Sequence, residues 1–108
     1  MVKTISRDDL KKKIDREDKF LLVETLPATA YHHQHLPGAI NLPPDSIKEL
    51  ASQLLPIQSA DIVVYCASPT WHASEHAARE LAALGYTNVR DYAEGKQDWI
   101  DAGLPVES

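Results

Sequence analysis

The sequence predicts an α/β fold in which an open, mainly parallel sheet carries helices on both faces. Two segments, "KFLLVET" at residues 19–25 and "DIVVYC" at residues 61–66, are continuous apolar runs of strand length, typical of strands buried on both sides. Segments with helical periodicity alternate with these strands, and this alternation favours parallel pairing through crossover helices. The length of 108 residues suits one domain, which we expect to span residues 1–108.

The first helix is predicted from a capping pattern. Ser6 precedes Asp8 and Asp9, so a cap and an acidic first turn open a helix that runs to about Ile14. Prolines and helical spacing define the next elements. These are the strand at residues 19–25, one or two helical turns at residues 28–34, a short strand at residues 39–42, and a helix at residues 46–54 with Asp45 as its N-cap.

The second half contains the clearest helical pattern, "TWHASEHAARELAALG" at residues 70–85. Glu75 and Arg79 are spaced as an i,i+4 ion pair, and Gly85 stands where a glycine commonly ends a helix. A short strand and a last helix follow. They are "NVRDY" at residues 88–92 and "KQDWIDAG" at residues 96–103, in which Trp99 and Ile100 are expected to pack on the core.

Charge and hydropathy exclude two classes of partner. The formal net charge is −5 and no basic stripe is visible, which argues against a nucleic-acid partner. No segment approaches the roughly 18 apolar residues of a membrane span, and the first residues lack the apolar run of a signal peptide. We therefore expect no membrane partner and a cytoplasmic location.

Cys66 is the single cysteine of the chain. A lone cysteine forms no internal disulfide and no Cys-Cys zinc site, so it is either a small buried apolar residue or a reactive thiol. Ligands of parallel sheets bind beyond the carboxyl ends of the strands, and Cys66 ends a predicted strand just before a helix. The unpaired N–H groups of that helix start would stabilise a thiolate.

The loop after Cys66 offers backbone N–H groups as a cradle for an anion, although Pro69 has no such donor. No lysine or arginine occurs from residue 49 to residue 78, which leaves His72 and His76 as the local cationic side chains. His72 either stabilises the thiolate or is a solvated helix residue. The i,i+4 spacing of the two histidines is weak evidence for a metal, and we expect none.

Two other residues near the predicted strand ends have open roles. Trp71 either covers the sulfur as an apolar lid or packs where the helix begins. Glu24 ends a predicted strand next to that of Cys66, where its carboxylate would oppose the effect of the helix N-terminus on the thiolate. His32 and His33 are expected to be exposed.

Four segments, "DIVVYC", "LAALGYTNV", "EGKQDWIDAGLPV" and the upstream "HLPGAINLP", resemble a rhodanese domain of the sulfurtransferase family over almost the whole chain. The resemblance implies a five-stranded parallel α/β domain whose cysteine carries a persulfide, taken from a sulfur donor and passed to an acceptor thiol or to cyanide. That role falls on Cys66, and His35 falls on a family histidine with a structural role. The residues expected to hold the substrate are Ala67, Ser68, Thr70, Trp71 and His72.

The chain departs from the common rhodanese pattern by losing positive charge. The cysteine loop contains no arginine, and Glu24, Thr25 and Leu26 stand where the family often has Asp-Val-Arg. Glu94 replaces the first residue of a usual Gly-Gly pair. A donor such as thiosulfate is possible, but a small-molecule or protein persulfide fits this loop better, with a protein as a possible acceptor. No cofactor is expected.

Two rival functions remain open. One is a catalytically weak rhodanese module that binds a partner or senses redox state through Cys66. The other is a phosphatase or arsenate reductase, since phosphatase loops also begin with cysteine. That chemistry normally requires an arginine to hold the equatorial oxygens, and the corresponding position here is His72 or Ala73.

Overall fold

A computed structural model describes residues 2–108 of the chain, and five parallel strands form its one described sheet. The strands are β1 (Lys3–Thr4), β2 (Leu21–Glu24), β3 (Ile40–Asn41), β4 (Ile62–Tyr65) and β5 (Val89–Tyr92). The helices are α1 (Arg7–Asp15), α2 (Ala28–His33), α3 (Ile47–Leu54), α4 (Ala73–Ala83) and α5 (Gly95–Asp101). The strand order is β1-β5-β4-β2-β3, and every pairing is parallel, which confirms the predicted fold class.

Helices cover both faces of the sheet, because the central strands are apolar on both sides. On one face α3 and α4 pack against the sheet through a cluster that includes Ala51, Val64 and Leu81. On the other face α1 and α5 enclose a second cluster around Leu10 and Trp99. Among residues 2–108, no helix has the length and apolarity needed to cross a membrane.

The helix ends follow the predicted capping chemistry in two of three cases. Ser6 Oγ accepts a hydrogen bond from Asp9 N at 3.1 Å, as the amino-terminal cap of α1. Gly85, at φ +104°, ends α4 in a Schellman motif, in which Tyr86 N donates to Leu81 O. The predicted Asp45 cap is wrong, because the consecutive prolines before it favour a tight 3-10 turn over residues 44–46.

Strand β1 is absent from the prediction made on residue patterns. It has two residues and pairs only with β5 at the edge of the sheet, so the local sequence carries too few positions to show a pattern. The parallel pairing of Lys3 with Arg90 and of Thr4 with Asp91 makes it the fifth strand. The number of strands implied by the rhodanese resemblance is therefore confirmed.

A buried ion pair and its hydrogen bonds connect four elements of the fold. Lys96 Nζ lies 3.0 Å from Glu24 Oε2, and the glutamate side chain is fully buried. The lysine ammonium also donates to the carbonyl oxygens of Ala30 at 3.1 Å and Gln34 at 2.6 Å, so it has three acceptors. Tyr65 OH donates to Glu24 Oε1 at 2.8 Å. These contacts join α5 to β2, β4 and the carboxyl-terminal end of α2.

Tyr65 is held as a hydrogen-bond donor. Burial and then the charge of Glu24 raise the pKa of this tyrosine far above its ordinary value, so the phenol stays protonated. Its oxygen also accepts a hydrogen bond from Leu36 N at 3.1 Å. Both acceptor oxygens of the Glu24 carboxylate are therefore paired, one with a phenol and one with an ammonium.

Replacing Lys96 with methionine is expected to lower the free energy of unfolding by about 3 to 5 kcal/mol, because the Glu24 carboxylate stays buried without its counter-charge. Urea denaturation measures the change. The double variant Lys96→Met/Glu24→Gln is expected to recover part of the loss, and Lys48→Met, at an exposed lysine of α3, serves as the control. A double variant less stable than Lys96→Met would contradict this account.

Candidate active site

The segment after β4 turns sharply before α4 begins. Cys66 follows the last strand residue directly, and its side chain is almost fully buried. Trp71 N donates to Ser68 O at 3.1 Å and closes a β-turn with Pro69 at its second position, where proline is favoured. His72 then adopts the left-handed conformation at φ +59°. Helix α4 therefore begins at Ala73, three residues later than its sequence pattern predicts.

The sulfur of Cys66 lies against the first turn of α4. Ser74 Oγ donates to Cys66 Sγ at 3.4 Å, and the thiol reaches the Ser68 carbonyl oxygen at 3.6 Å. The first amide of α4 with a carbonyl acceptor four residues earlier is that of His76, which bonds to His72 O at 3.1 Å. The N–H groups before it have no such acceptor in the helix, so a partial positive charge lies at this end, where Ser74 contacts the sulfur.

A cleft of about 120 Å³ opens beside this sulfur. It is lined by Cys66, Ser68, Pro69, His72, Ser74, Glu75, Asp91 and Ala93. Two carboxyl groups, from Glu75 and Asp91, are therefore present among the lining residues, whereas no lysine or arginine is. His72 is exposed, and its Nδ1 lies 4.0 Å from Glu75 Oε2.

Asp91 is one of the cleft residues that the sequence pattern did not single out. It is only 4% exposed, and its Oδ1 has no hydrogen-bond partner within the described chain. Burial, with smaller effects of the negative charges of Glu75 and Glu94, raises its pKa above the ordinary 3.8, although the nearby Ser74 hydroxyl acts in the opposite direction. The sequence signal that could have identified Asp91 is a carboxylate near the end of β5, the strand that pairs with β4.

The amino-terminal end of α5 holds the cysteine loop in place through two backbone hydrogen bonds. Lys96 N donates to Cys66 O at 2.7 Å, and Gln97 N donates to Ala67 O at 2.9 Å. This approach requires glycine at position 95, since a Cβ there would lie 2.8 Å from Cys66 O and from the carbonyl carbon of Ala67. Gly95 also has a φ of +80°, which disfavours any other residue.

A second and more apolar groove of about 410 Å³ lies on the other side of the loop. Ala67 and Trp71 line this groove together with Leu26 and Ile100. Trp71 is 63% exposed, so it neither packs in the core nor covers the cleft of Cys66. Thr70 lines neither cavity, and its hydroxyl lies 3.0 Å from that of Ser68.

The residues expected to bind substrate are thus divided between two surfaces. Ser68 and His72 share the cleft with Cys66, whereas Ala67 and Trp71 face the apolar groove. A substrate role for each of these side chains stays a prediction.

The expected interference of Glu24 with the thiol does not arise from its side-chain position. Glu24 points to the sheet face that carries Tyr65 and Lys96, whereas Cys66 contacts Ser74 on the opposite, α4 side. Its charge is also paired. Glu24 and Cys66 lie on opposite faces of the sheet because successive side chains along a strand point to opposite faces.

The histidines near α2 behave as predicted. His35 is buried, its ring stacks on Tyr31 at 4.0 Å between centroids, and its Nδ1 lies 2.8 Å from Tyr31 O. His32 and His33 are exposed. His35 thus supports the segment before the Pro37 turn.

The five-stranded parallel sheet and the cysteine loop at the carboxyl end of β4 define a class of protein. The model of the rhodanese-like domain matches residues 6–102, and the chain belongs to that family. Tertiary structure agrees with this assignment, since the solution structure of the rhodanese-like domain of the Alr3790 protein from Anabaena sp. superposes with a TM-score of 0.86 at 25% identity, over 100% of this chain and 80% of that one. A crystal structure of the BH2092 protein from Bacillus halodurans superposes with a TM-score of 0.91 at 27% identity, over 98% of this chain and 77% of that one.

Two curated relatives carry the word sulfurtransferase in their names. The adenylyltransferase and sulfurtransferase UBA4 of Candida albicans is 32% identical over 90% of this chain and 23% of its own length. Thiosulfate sulfurtransferase PspE of Escherichia coli is 34% identical over 63% of this chain and 62% of its own. The chain thus spans less than two thirds of either relative.

Replacing Gly95 with alanine is expected to displace the cysteine loop, since the new methyl group would overlap the backbone of Cys66 and Ala67. We expect a loss of about 2 to 4 kcal/mol in the free energy of unfolding, from the overlap and the positive φ together. Gly103→Ala is the matched control, because Gly103 has a φ of +77° but open space around it. Equal losses in the two variants would show that the loop contact is unimportant.

Replacing Asp91 with asparagine is expected to stabilise the fold at pH 7 by about 1 to 2 kcal/mol, because an ionised carboxylate is no longer buried without a partner. The folded-state pKa of Asp91 is raised, so the unfolded chain ionises first and the parent loses stability as pH rises above about 3.8. The advantage of the variant should therefore be smaller at pH 4 than at pH 7. Urea denaturation at both values tests this, with Glu49→Gln as a surface control whose advantage should not follow the same course.

Proposed function

We propose that the protein is a sulfurtransferase in which Cys66 carries a sulfane sulfur as a persulfide, from thiosulfate or a persulfide donor to a thiol or cyanide acceptor. Membership of the rhodanese-like family and the two sulfurtransferase relatives support this proposal. The observation that carries it is the position of Cys66 Sγ, which accepts a hydrogen bond from Ser74 at the amino-terminal end of α4 and borders a small cleft.

The transfer consists of two nucleophilic displacements. The Cys66 thiolate attacks the sulfane sulfur of the donor, a new S–S bond forms, and the donor group leaves with the electron pair of the broken bond. An acceptor thiolate or cyanide then attacks the outer sulfur, and the Cys66 thiolate leaves. The two steps restore the enzyme without any external oxidant or reductant.

The surroundings of Cys66 suit an anionic sulfur in both steps. The Ser74 hydroxyl donates to it, and the unpaired N–H groups of the first turn of α4 add a partial positive charge on the same side. The cleft of about 120 Å³ has room for a terminal sulfur or a small group. A donor therefore has to present its sulfur at an exposed end, as thiosulfate and persulfides do.

Intact-mass measurement is the direct test. Incubation with thiosulfate or with the persulfide of 2-mercaptoethanol is expected to add one sulfur atom to the protein, and cyanide is expected to remove it. Cys66→Ser should gain nothing, because it lacks the attacking thiol. The Cys66 thiol is titrated with an alkylating reagent in parallel to show that it is reduced and reachable.

A parent protein that takes up no sulfur from either donor, although its thiol is alkylated, would refute the proposal. In that case the alternative of partner binding or redox sensing would gain support if the thiol oxidised readily without turnover. Phosphate-ester hydrolysis is disfavoured by the cleft itself, since its lining includes two carboxyl groups and no arginine.

A further inference from the structure

We propose that the apolar groove between α2, α5 and the cysteine loop is the docking surface for a protein that accepts sulfur from Cys66. This inference rests on the proposed sulfurtransferase function and names the class of acceptor. The acceptor is a cysteine of another protein, with an apolar side chain close to it and lysine or arginine residues beside both. The groove holds the apolar side chain, while the thiol reaches the cleft of Cys66 across the loop.

The groove suits an apolar group. Its volume is about 410 Å³, and the residues that line it include Leu26, Ala30 and Ile100. Trp71 adds its ring from the cysteine loop and is 63% exposed. Large exposed apolar surfaces mark interaction sites, and tryptophan is among the residues most enriched at the centres of protein interfaces. An apolar side chain of a partner would therefore gain from burial against Trp71.

The polar groups of the groove favour a peptide over a charged small molecule. Lys96 is among the lining residues, but its ammonium pairs with Glu24 and with two backbone carbonyl oxygens, so it is not free to bind an anion. The other polar lining residues are His33, Gln34 and Gln97. Amide and imidazole side chains both donate and accept hydrogen bonds, as the N–H and C=O groups of a peptide backbone require.

The groove and the cleft of Cys66 lie on two sides of one short loop. Ala67 and Trp71 line the groove. Ser68 and His72 line the cleft. Cyanide and small thiols fill the cleft alone, whereas a ligand that fills both cavities has to cross the loop. A chain segment of a few residues can do so, because extended backbone advances about 3.3 Å per residue. A protein thiol is therefore the acceptor class that uses both cavities.

Unpaired acidic side chains flank the groove. Asp101 is the last residue of α5, directly after the groove wall, and Glu94 precedes the glycine that packs on the cysteine loop. Both side chains are exposed. Among residues 2–108 the ion pairs of α5 involve Lys96 and Asp98, so the charges of Asp101 and Glu94 are not neutralised. Lysine or arginine residues of the partner would complement these charges.

Docking leaves the chemistry of the acceptor step unchanged. The partner's thiolate attacks the outer sulfur of the Cys66 persulfide and forms a new S–S bond. The bond between the two sulfurs on Cys66 breaks, and its electron pair goes to Cys66 Sγ. The proton of the outer sulfur moves with that sulfur, so the products are a partner persulfide and the Cys66 thiolate. Contacts in the groove form before the attack and persist through it, so they lower the acceptor concentration that half-saturates transfer and barely change the rate at saturation.

The test measures sulfur transfer from loaded protein to synthetic peptide thiols. The protein is loaded with the persulfide of 2-mercaptoethanol and freed of excess donor, and loss of the added sulfur is followed by intact mass. The acceptors are Ac-Lys-Leu-Gly-Gly-Cys-Lys-NH2 and its counterpart with a single glycine. The better of the two is expected to half-saturate transfer at a concentration about tenfold below that of the same peptide with serine for leucine, because a leucine side chain is buried in the groove.

Variants of the groove are expected to affect the leucine peptide selectively. Trp71→Ala and Ile100→Ser remove apolar surface, so the half-saturating concentration of the leucine peptide should rise about tenfold while that of the serine peptide changes little. Ile100→Ser should transfer sulfur to 2-mercaptoethanol at the parent rate, because this thiol fills the cleft alone. Ile57→Ser is the matched control, at an isoleucine that is 61% exposed and outside the groove. Thermal melts confirm that each variant is folded.

The acidic flanks are tested with the double variant Glu94→Gln/Asp101→Asn. It is expected to raise the half-saturating concentration of the leucine peptide severalfold and to weaken the dependence of transfer on salt, because the attraction between the carboxylates and the lysines is lost. Glu49→Gln, at an exposed carboxylate of α3, should behave as the parent.

Binding is measured without sulfur chemistry by acrylamide quenching of tryptophan fluorescence. The chain has two tryptophans, and Trp99 is fully buried, so the quenchable emission comes from Trp71. The leucine peptide with serine in place of its cysteine is expected to protect Trp71 from acrylamide. In Trp71→Ala, the peptide should leave the quenching unchanged.

Equal half-saturating concentrations for the leucine and serine peptides, with no protection of Trp71, would overturn the inference and leave Cys66 as a sulfur carrier. Equal slowing of transfer to 2-mercaptoethanol and to the leucine peptide in Ile100→Ser would also overturn it, because the groove would then act only through the shape of the loop. A dimer in sedimentation that Trp71→Ala abolishes would assign the groove to a second copy of this chain instead. Failure of the parent protein to load sulfur would refute the proposed function itself, and with it the acceptor assigned to this groove.

Discussion

The buried contact between Lys96 and Glu24 is the interaction on which the site depends. The ammonium pairs with a carboxylate at the end of β2, and the backbone N–H of the same lysine holds the carbonyl oxygen of Cys66. Lys96 thus joins the ion pair with Glu24 to the loop that bears Cys66. Because a buried charge requires its partner, the position of α5 is strongly constrained, and with it the backbone at Cys66.

The two sides of the cysteine loop differ in how their polar groups are paired. On its α5 side, the charges of Glu24 and Lys96 are paired, and Gly95 allows direct contact between backbones. On its other side, the cleft contains the buried carboxyl group of Asp91, which has an unpaired oxygen, and His72 in the left-handed conformation. The cost of these features to stability falls on the side that carries the cleft of Cys66, and such costs are common at functional sites. The α5 side of the loop therefore supports the side that carries the candidate active site.

Much of this arrangement was predictable from local sequence. The apolar runs identified β2 and β4, and their length placed Cys66 at a carboxyl end of the sheet. The positions of Asp91 and Ser74 beside Cys66 were not predictable in this way, because they arise from the pairing of β5 with β4 and from the turn at which α4 begins. The first residue of α4 was misplaced since the Pro69 turn overrides the helical pattern of residues 70–72.

The sequence by itself determined the fold class, the family and the position of Cys66 at the end of a strand, because hydrophobic periodicity and turn residues act over a few positions of the chain. Tertiary structure alone decided which charges surround Cys66. Parallel pairing brings Asp91, 25 positions along the chain from the cysteine, into the same cleft, and side-chain alternation turns Glu24 away. Electrostatic surroundings depend on distances in space, which no local pattern encodes.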